Sequence, residues 1–217
     1  MNLAIIGATG KTGRALLTLA RQRQLPTTAI VRNAAKLNVA VPTLERDLFD
    51  LTPSDLAPFD VVICTFASSK KSDYPRVNQH LTTILKGTPT RLIVVGSGAT
   101  LYLDDSRRKT VADRLPLIMR PASRAHVQAR QILESAGVNW TYVAPPYNYL
   151  PNAAQTGHYQ TGSDVLLYDQ HHDSTISYAD MALALIDEVQ HPHYENQRMT
   201  VAWQWFCLIK PITVITR

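Results

Sequence analysis

The amino-acid sequence predicts an α/β fold in which a doubly wound parallel sheet carries helices on both of its faces. Short apolar runs typical of buried strands alternate along the chain with longer segments whose apolar residues recur at helical spacing. A chain of 217 residues, 45% of them hydrophobic, is also long enough for one domain with a substantial core. We therefore expect residues 1–203 to form a single domain, followed by a tail of unclear role at residues 204–217.

Six short apolar runs are the predicted strands of this sheet. Glycine or proline ends several of them, as Gly96 and Gly98 end the fifth run and Pro145 ends the sixth. The predicted strands are Leu3–Ile6, Thr27–Val31, Thr43–Glu45, Val61–Phe66, Arg91–Val95 and Trp140–Val143.

Amphipathic segments between these runs are the predicted helices. The first lies within Arg14–Arg23, where four apolar residues recur at helical spacing. Asn78–Leu85 is a second helix, and Ala122–Ala136 is a long third one with Gly137 as its C-cap.

The regular alternation stops at Tyr147–Asp173. This segment contains two short β-like pieces, His158–Gln160 and Val165–Tyr168. Regular order returns with a helix near Tyr178–Gln190 and a strand near Arg198–Trp203.

Composition and charge limit the classes of function. Lys and Arg outnumber Asp and Glu by 22 to 17, a net charge of +5 that suits nucleic acid, a membrane surface or a small anion. The sequence contains no nucleic-acid-binding module and no apolar run of the ~18 residues that a membrane span needs. Residues 1–44 contain six basic residues and no acidic one, which favours a small anion as the partner.

Cysteine and histidine usage indicates neither a disulfide framework nor a metal site. Cys64 and Cys207 are too few for either, and the histidines have no cysteine or carboxylate at ligand spacing. The amino terminus lacks the basic flank of a secretory signal, because Met1 leads directly into an apolar run that Gly7 ends. We therefore expect a cytoplasmic protein. No feature of the sequence indicates an oligomeric state.

The most informative motif is the loop Gly7-Ala8-Thr9-Gly10-Lys11-Thr12-Gly13, between the first strand and the first helix. Its glycines allow a tight turn, a close backbone approach to a pyrophosphate and close packing of the helix, whose free N–H groups attract phosphates. The motif reads G-x-x-G-x-x-G, and it is not a P-loop because Ile5 stands where that motif needs glycine. We expect all seven residues to bind a dinucleotide. A glycine-rich turn without a ligand is the alternative.

The residue that ends the second strand predicts which dinucleotide is bound. NAD-binding proteins usually place Asp or Glu ~20 residues beyond the glycine loop, on the ribose 2′-hydroxyl. Here the strand ends in Arg32, and no acidic residue precedes Glu45. The guanidinium of Arg32 suits a 2′-phosphate, so we expect NADP(H) rather than NAD(H). A solvated loop arginine is the alternative.

Together these residues resemble a known family. The glycine loop, Val31-Arg32-Asn33 and Arg46-Asp47 resemble the atypical short-chain dehydrogenases/reductases with an NmrA-like NAD(P)H-binding domain. Leu133–Pro146 and Ile176–Ala182 strengthen the resemblance, which extends over about residues 1–203. The sequence is most similar to bacterial proteins described as NADH-flavin reductases, and is also similar to biliverdin-IXβ/flavin reductases.

The resemblance implies a Rossmann fold with a small C-terminal substrate lobe at about residues 147–173. It also implies the cofactor contacts beyond the glycine loop: Asp47 and Leu48 near the adenine, Thr65, Phe66 and Ala67 along the cofactor, Ser97 and Gly98 beside the nicotinamide, and Pro145, Pro146 and Tyr147 at its carboxamide.

One expected feature is missing from the long helix. Typical short-chain dehydrogenases carry a Tyr-x-x-x-Lys pair there. When the helix is aligned with theirs on Leu133 and Gly137, Ala122 and His126 occupy the two positions. Ordinary alcohol–ketone chemistry is therefore disfavoured. A flavin or similar planar conjugated acceptor fits better, because it accepts hydride while solvent supplies the proton. We expect the flavin to be a substrate and not a bound prosthetic group.

Ser97 and His126 are the candidate catalytic residues. Each also has a structural explanation, Ser97 as a turn former and His126 as an ordinary helix residue. Tyr147 and Tyr149 are candidates to stack on a planar substrate. Two other functions stay open: a non-catalytic redox sensor that binds NADP(H), and a quinone or enone reductase.

Overall fold

The computed structural model describes residues 1–204, so residues 205–217 of the predicted tail lie outside the described residues. The strands are β1 Leu3–Ile6, β2 Thr27–Val31, β3 Thr43–Glu45, β4 Val61–Cys64, β5 Arg91–Val95, β6 Trp140–Ala144, β7 Asn148–Leu150, β8 Tyr159–Gly162, β9 Thr175–Ser177 and β10 Gln197–Trp203. The helices are α1 Lys11–Gln22, α2 Pro53–Leu56, α3 Asp73–Leu85, α4 Val111–Arg114, α5 Arg120–Ser135 and α6 Tyr178–Gln190.

Eight of the strands form one twisted sheet in the order β3-β2-β1-β4-β5-β6-β10-β8. Seven of them are parallel, and β8 is antiparallel to β10. A small second sheet pairs β7 with β9 in parallel. This is the doubly wound α/β architecture that the alternation of strands and helices predicts.

Helices cover both faces of the main sheet, so central strands such as β1, β4 and β6 are buried on both sides. Leu3 and Ile5 belong to the core cluster under α1 and α6, whereas Ala4 and Ile6 belong to the one under α3 and α5. Side chains of a strand alternate between the faces, which is why adjacent residues of β1 serve different clusters. A strand buried on both faces appears in the sequence as a continuous apolar run.

A buried ion pair joins α6 to the amino-terminal end of β5. The side chains of Arg91 in β5 and Glu188 in α6 are only 5% and 2% exposed, and they contact each other directly. Arg91 also donates to the Thr141 hydroxyl at 2.6 Å. Glu188 accepts hydrogen bonds from the backbone N–H groups of His193 and Tyr194.

Some predicted boundaries were wrong. β4 ends at Cys64 and not at Phe66, because the chain turns at Thr65, whose hydroxyl donates to the backbone oxygens of Ile6 and Gly7. The predicted strand Val165–Tyr168 is absent from the described chain, where Val165 alone makes a bridge to Tyr102.

The segment after Pro146 is attached to the main domain at several points. β8 extends the main sheet, and β7 pairs with β9 immediately before α6. Asp180, completely buried in the first turn of α6, accepts hydrogen bonds from the N–H groups of Thr156 and Gly157 and from Trp203 Nε1. These bonds fix the predicted substrate lobe beside the carboxyl ends of the strands.

Candidate functional site

Two adjoining cavities open at the carboxyl edge of the main sheet. The strand order reverses between β1 and β4, and a crevice forms at such a point because the following loops turn to opposite faces. Thr65, Phe66 and Ala67, which follow β4, line both cavities. The two cavities therefore share a wall.

Gly7 turns the chain at the end of β1. Its φ of +79° lies in the left-handed region that favours glycine, and a Cβ there would lie 2.9 Å from Thr65 Oγ1. The carbonyl of Gly7 accepts hydrogen bonds from Gly10 N at 2.9 Å and from the Thr65 hydroxyl at 3.2 Å. The start of the glycine loop is thus held against the end of β4.

Gly13 allows α1 to begin directly on this turn. A Cβ at Gly13 would lie 2.4 Å from the carbonyl oxygen of Gly7 and 2.6 Å from the Cα of Ala8. Both neighbours are backbone atoms, so a side chain could be accommodated only if the helix moved away. The third glycine therefore serves the packing role that its position in the motif predicts.

The amino terminus of α1 is suited to an anion. Gly10 is its N-cap, no side chain in residues 1–204 caps it, and its first turn contains no acidic residue. Lys11 is exposed at the first helical position. The N–H groups there carry the positive end of the helix dipole, which attracts phosphates. The pyrophosphate of a dinucleotide fits this end of the helix.

Arg14 ties the glycine loop to the turn after β2. Its Nε donates to the carbonyl of Thr9 at 2.8 Å, and its Nη2 donates to the carbonyl of Lys36 at 2.9 Å. Sequence reasoning counted Arg14 only as charge and missed this role. The sequence signal for this role is the position of Arg14 directly after Gly13. Basic residues are common in helices, so this signal is not specific.

The first cavity, of about 310 Å³, lies at the carboxyl ends of β1 and β2, where Arg32, Asp47 and Leu48 line it together. The Arg32 side chain is 83% exposed, and its Nε lies 4.0 Å from Asp47 Oδ2. The other carboxylate oxygen of Asp47 accepts a hydrogen bond from Phe49 N. The structure thus brings the predicted basic residue and the predicted adenine contacts to one wall.

Two other charged residues near this wall are engaged within the protein. The Glu45 carboxylate accepts a hydrogen bond from Ala34 N at 2.9 Å. Arg46 pairs with Asp55 at 2.6 Å. Hydrogen bonds from Thr52, assisted by Arg46, hold the pKa of Asp55 below its usual range. Arg32, in contrast, projects towards solvent.

The second cavity, of about 420 Å³, lies at the carboxyl ends of β5 and β6 and has an aromatic and apolar lining. Within residues 1–204, no Lys, Arg, Asp or Glu lines it. Its ring-bearing residues are Phe66, Tyr74, His126, Tyr147, Tyr149 and Tyr178. A neutral, planar molecule fits such a lining.

Ser97, Gly98, Pro145 and Pro146 lie together in this second cavity. A Cβ at Gly98 would lie 2.1 Å from the carbonyl oxygen of Pro145, so the loops after β5 and β6 are in close backbone contact. The Ser97 hydroxyl oxygen accepts a hydrogen bond from Ala99 N at 3.2 Å and caps a 3₁₀ turn. Ser97 is therefore a turn former, and that bond leaves its hydroxyl proton available to donate.

His126 projects from α5 into the same cavity and is half-buried. Its ring lies over that of Tyr74, with centroids 4.0 Å apart. The Tyr74 hydroxyl donates to the carbonyl of Ser68 at 2.8 Å. Burial lowers the pKa of His126 to about 4, so its imidazole is neutral near pH 7.

The predicted lobe contacts the glycine-loop helix through tyrosine. Tyr149 stacks on Tyr178, with ring centroids 3.7 Å apart and planes 11° apart. The Tyr149 hydroxyl lies 2.9 Å from Thr12 Oγ1, and burial raises the pKa of Tyr149. One face of Tyr149 is thus occupied by protein, whereas Tyr147 is 57% exposed.

Tyr74 and Tyr178 were missed as cavity residues by sequence reasoning. Tyr178 belongs to the family motif Ile176–Ala182, but that motif does not indicate a place in the cavity, and only the packing of α3 and α6 brings the two rings there. No three His, Cys, Asp or Glu side chains of the described chain are grouped as for a metal ion. None of the helices formed by residues 1–204 has the length and apolar character for crossing a membrane.

The chain is similar to known proteins. A family model described as NAD(P)H-binding matches residues 7–192. YwnB of Bacillus subtilis (strain 168) is 37% identical over 208 residues, which cover 93% of this chain and 98% of YwnB.

Solved structures give the same picture. A "putative NADH-flavin reductase" from Streptococcus pneumoniae TIGR4 is 32% identical, with a TM-score of 0.88 over 94% of this chain and 99% of its own. ChuY from Escherichia coli O157:H7, named as an anaerobilin reductase, has a TM-score of 0.72 at 19% identity, over 94% of this chain and 97% of ChuY. At that identity the likeness shows the fold alone.

The matches confirm the doubly wound α/β fold and the resemblance that the glycine loop and the later motifs indicate. The family model begins at Gly7, the first residue of that loop, and spans both cavities. The chain belongs to the NAD(P)H-binding family.

Proposed function

We propose that this protein is an NADPH-dependent reductase that passes hydride to a flavin or a similar planar conjugated acceptor, bound as a substrate. The observation that carries the proposal is the second cavity. It adjoins the glycine loop and is lined by rings and apolar groups, with no Lys, Arg, Asp or Glu among its lining residues in the described chain. The name of the Streptococcus pneumoniae structure supports the same class of reaction.

The glycine loop and its neighbours hold the dinucleotide in this proposal. The amino terminus of α1 takes the pyrophosphate, with Gly10 at the closest approach and Lys11 beside it. Asp47 and Leu48 border the adenine in the first cavity, and Thr65 to Ala67 guide the cofactor into the second. There Ser97, Gly98, Pro145, Pro146 and Tyr147 surround the nicotinamide end.

Arg32 selects the phosphorylated dinucleotide. Its guanidinium is exposed on the wall of the first cavity, where a 2′-phosphate would pair with it. Asp47 opposes this preference, because its carboxylate lies 4.0 Å from the same guanidinium and repels a phosphate. A preference for NADPH requires that the attraction between Arg32 and the 2′-phosphate exceed the repulsion between Asp47 and that phosphate.

The residues of the second cavity orient the reactants and exclude water. When bound, the reduced nicotinamide supplies a hydride, and solvent supplies the accompanying proton to the acceptor. The neutral imidazole of His126 acts as a hydrogen-bond partner, and Ser97 can donate its hydroxyl proton as a hydrogen bond. Packed against Tyr74 with the ring planes tilted by 37°, His126 also forms part of the apolar wall.

An acceptor panel tests the proposal directly. NADPH oxidation is followed at saturating cofactor with FMN, riboflavin, biliverdin and small quinones. We expect turnover with a flavin, and similar rates with FMN and riboflavin because the cavity residues that the structure describes include no Lys or Arg for the FMN phosphate. Turnover confined to quinones would support the quinone reductase. Tight NADPH binding without turnover of any acceptor would contradict the proposal and favour the redox sensor.

The pH dependence of this reaction tests the role of His126. A group with a pKa of about 4 stays neutral as the pH rises from about 5 to 8, so we expect kcat to be flat over that range. His126→Asn keeps a hydrogen-bonding side chain and should have an equally flat profile. A fall in kcat centred near the ordinary histidine pKa, and absent in His126→Asn, would show that His126 is a proton donor instead.

Gly10→Asp tests the placement of the pyrophosphate. The new carboxylate would meet the phosphates at the start of α1, so NADPH affinity should fall by more than about 100-fold. Gly10→Ala is the matched control, because φ and ψ of −75° and 172° suit alanine and its Cβ would contact Gly7 O at 3.2 Å. Isothermal titration calorimetry of NADPH binding to both variants should separate the effect of the added charge from the effect of the added bulk. Unchanged affinity in Gly10→Asp would refute this placement of the loop.

Arg32→Ala tests the choice of cofactor. Losing a charge-assisted contact should weaken NADPH binding by about tenfold and leave NADH binding nearly unchanged. Asp47→Asn should act in the opposite direction, because it removes the carboxylate that pairs with Arg32. Arg21→Ala, an exposed arginine in the last turn of α1, is the control. An Arg32→Ala variant with the wild-type ratio of the two affinities would exclude a 2′-phosphate contact.

A further inference from the structure

Tyr142 is a buried polar residue that the proposed chemistry does not use. It lies in the middle of β6, is 0% exposed, and is the largest of the fully buried side chains. Its hydroxyl accepts a hydrogen bond from Ser97 N at 3.0 Å. Burying a tyrosine hydroxyl costs free energy unless the hydroxyl is hydrogen-bonded. The hydrogen-bond partner of Tyr142 is therefore the first indication of its role.

The backbone next to Ser97 is shaped around this ring. A Cβ at Gly96 would lie 2.0 Å from Tyr142 Cζ and 2.2 Å from its hydroxyl oxygen. Gly96 has no positive φ, so its lack of a side chain serves the approach of Tyr142 and not an unusual turn. The backbone at the carboxyl end of β5 therefore fits closely against the Tyr142 ring of β6.

Further bonds connect this contact to the next turn of the chain. The Thr100 hydroxyl donates to the carbonyl of Ser97 at 2.8 Å. Arg198 in β10 donates to the carbonyl of Thr100 at 2.9 Å. Side chains of β6 and β10 thus hold the residues that follow β5 in place.

We propose that Tyr142 is a positioning residue, whose hydroxyl holds Ser97 N–H and so places the Ser97–Gly98 loop against the nicotinamide end of the dinucleotide. The inference rests on the proposed cofactor placement. A Cβ at Gly98 would lie only 2.1 Å from Pro145 O, so the loop has little room and a small movement at Ser97 would change the cavity wall. Loss of the Tyr142 hydroxyl should therefore weaken cofactor binding only at the nicotinamide end.

Two ligands separate this role from a general structural one. NADPH reaches the Ser97–Gly98 loop, whereas 2′-phospho-ADP-ribose is the same molecule without the nicotinamide. Tyr142→Phe keeps the ring and removes the acceptor of Ser97 N–H. We expect it to weaken NADPH binding by about tenfold and to leave 2′-phospho-ADP-ribose binding unchanged.

Matched variants complete the experiment. Tyr194→Phe removes a hydroxyl that contacts Thr161, away from the cavity residues, and should change neither affinity. Gly96→Ala should reproduce the selective loss, because its Cβ displaces the Tyr142 ring while the hydroxyl is kept. Equal loss of both ligands in Tyr142→Phe, or no loss of NADPH, would overturn the positioning role.

Amide hydrogen exchange of Ser97, measured by NMR without ligand, provides a readout that does not depend on the cofactor. We expect Ser97 N–H to be protected in the wild type and in Tyr194→Phe, and to exchange at least about tenfold faster in Tyr142→Phe. Should the wild type bind neither NADPH nor NADH, the proposed function fails while this measurement still tests the hydrogen bond. An unprotected Ser97 amide in the wild type would overturn the inference.

Discussion

The close approach of three backbone segments at Gly7 is the constraint on which the rest of the site depends. Gly7 O accepts Gly10 N and the Thr65 hydroxyl, and Gly13 lies so near that any Cβ would overlap the same carbonyl. β1, α1 and β4 are thereby fixed to one another at their meeting point. Because α1 starts there, the positive end of its dipole lies at the crevice.

The two ends of the cleft differ in chemistry because different elements build them. The end at the glycine loop has exposed charge, with Lys11 at the helix start and Arg32 at the end of β2. The far end is uncharged in the described chain and is lined by rings from α3, α5, α6 and the lobe. A charged cofactor held at one end would thus present its reactive ring to an apolar cavity, where a planar acceptor competes well with water.

Much of the architecture was predictable because its signals are local. A strand buried on both faces must be apolar throughout, and a glycine that must turn or pack closely cannot be replaced, so β1 and the loop Gly7–Gly13 are evident from the sequence. The limits of β4 were less predictable, since the hydroxyl of Thr65 ends the strand by bonding to β1. The piece Val165–Tyr168 has a β-like composition but lacks a partner strand for more than one residue.

The sequence by itself determined the fold class, through the alternation of apolar runs and amphipathic segments, and the glycine loop Gly7–Gly13, through its position between a strand and a helix. Only the tertiary structure decided the surroundings of the second cavity. Burial beside Tyr74 keeps His126 neutral, and stacking on Tyr178 occupies one face of Tyr149. These properties arise from contacts between segments far apart in the chain, so no local pattern encodes them.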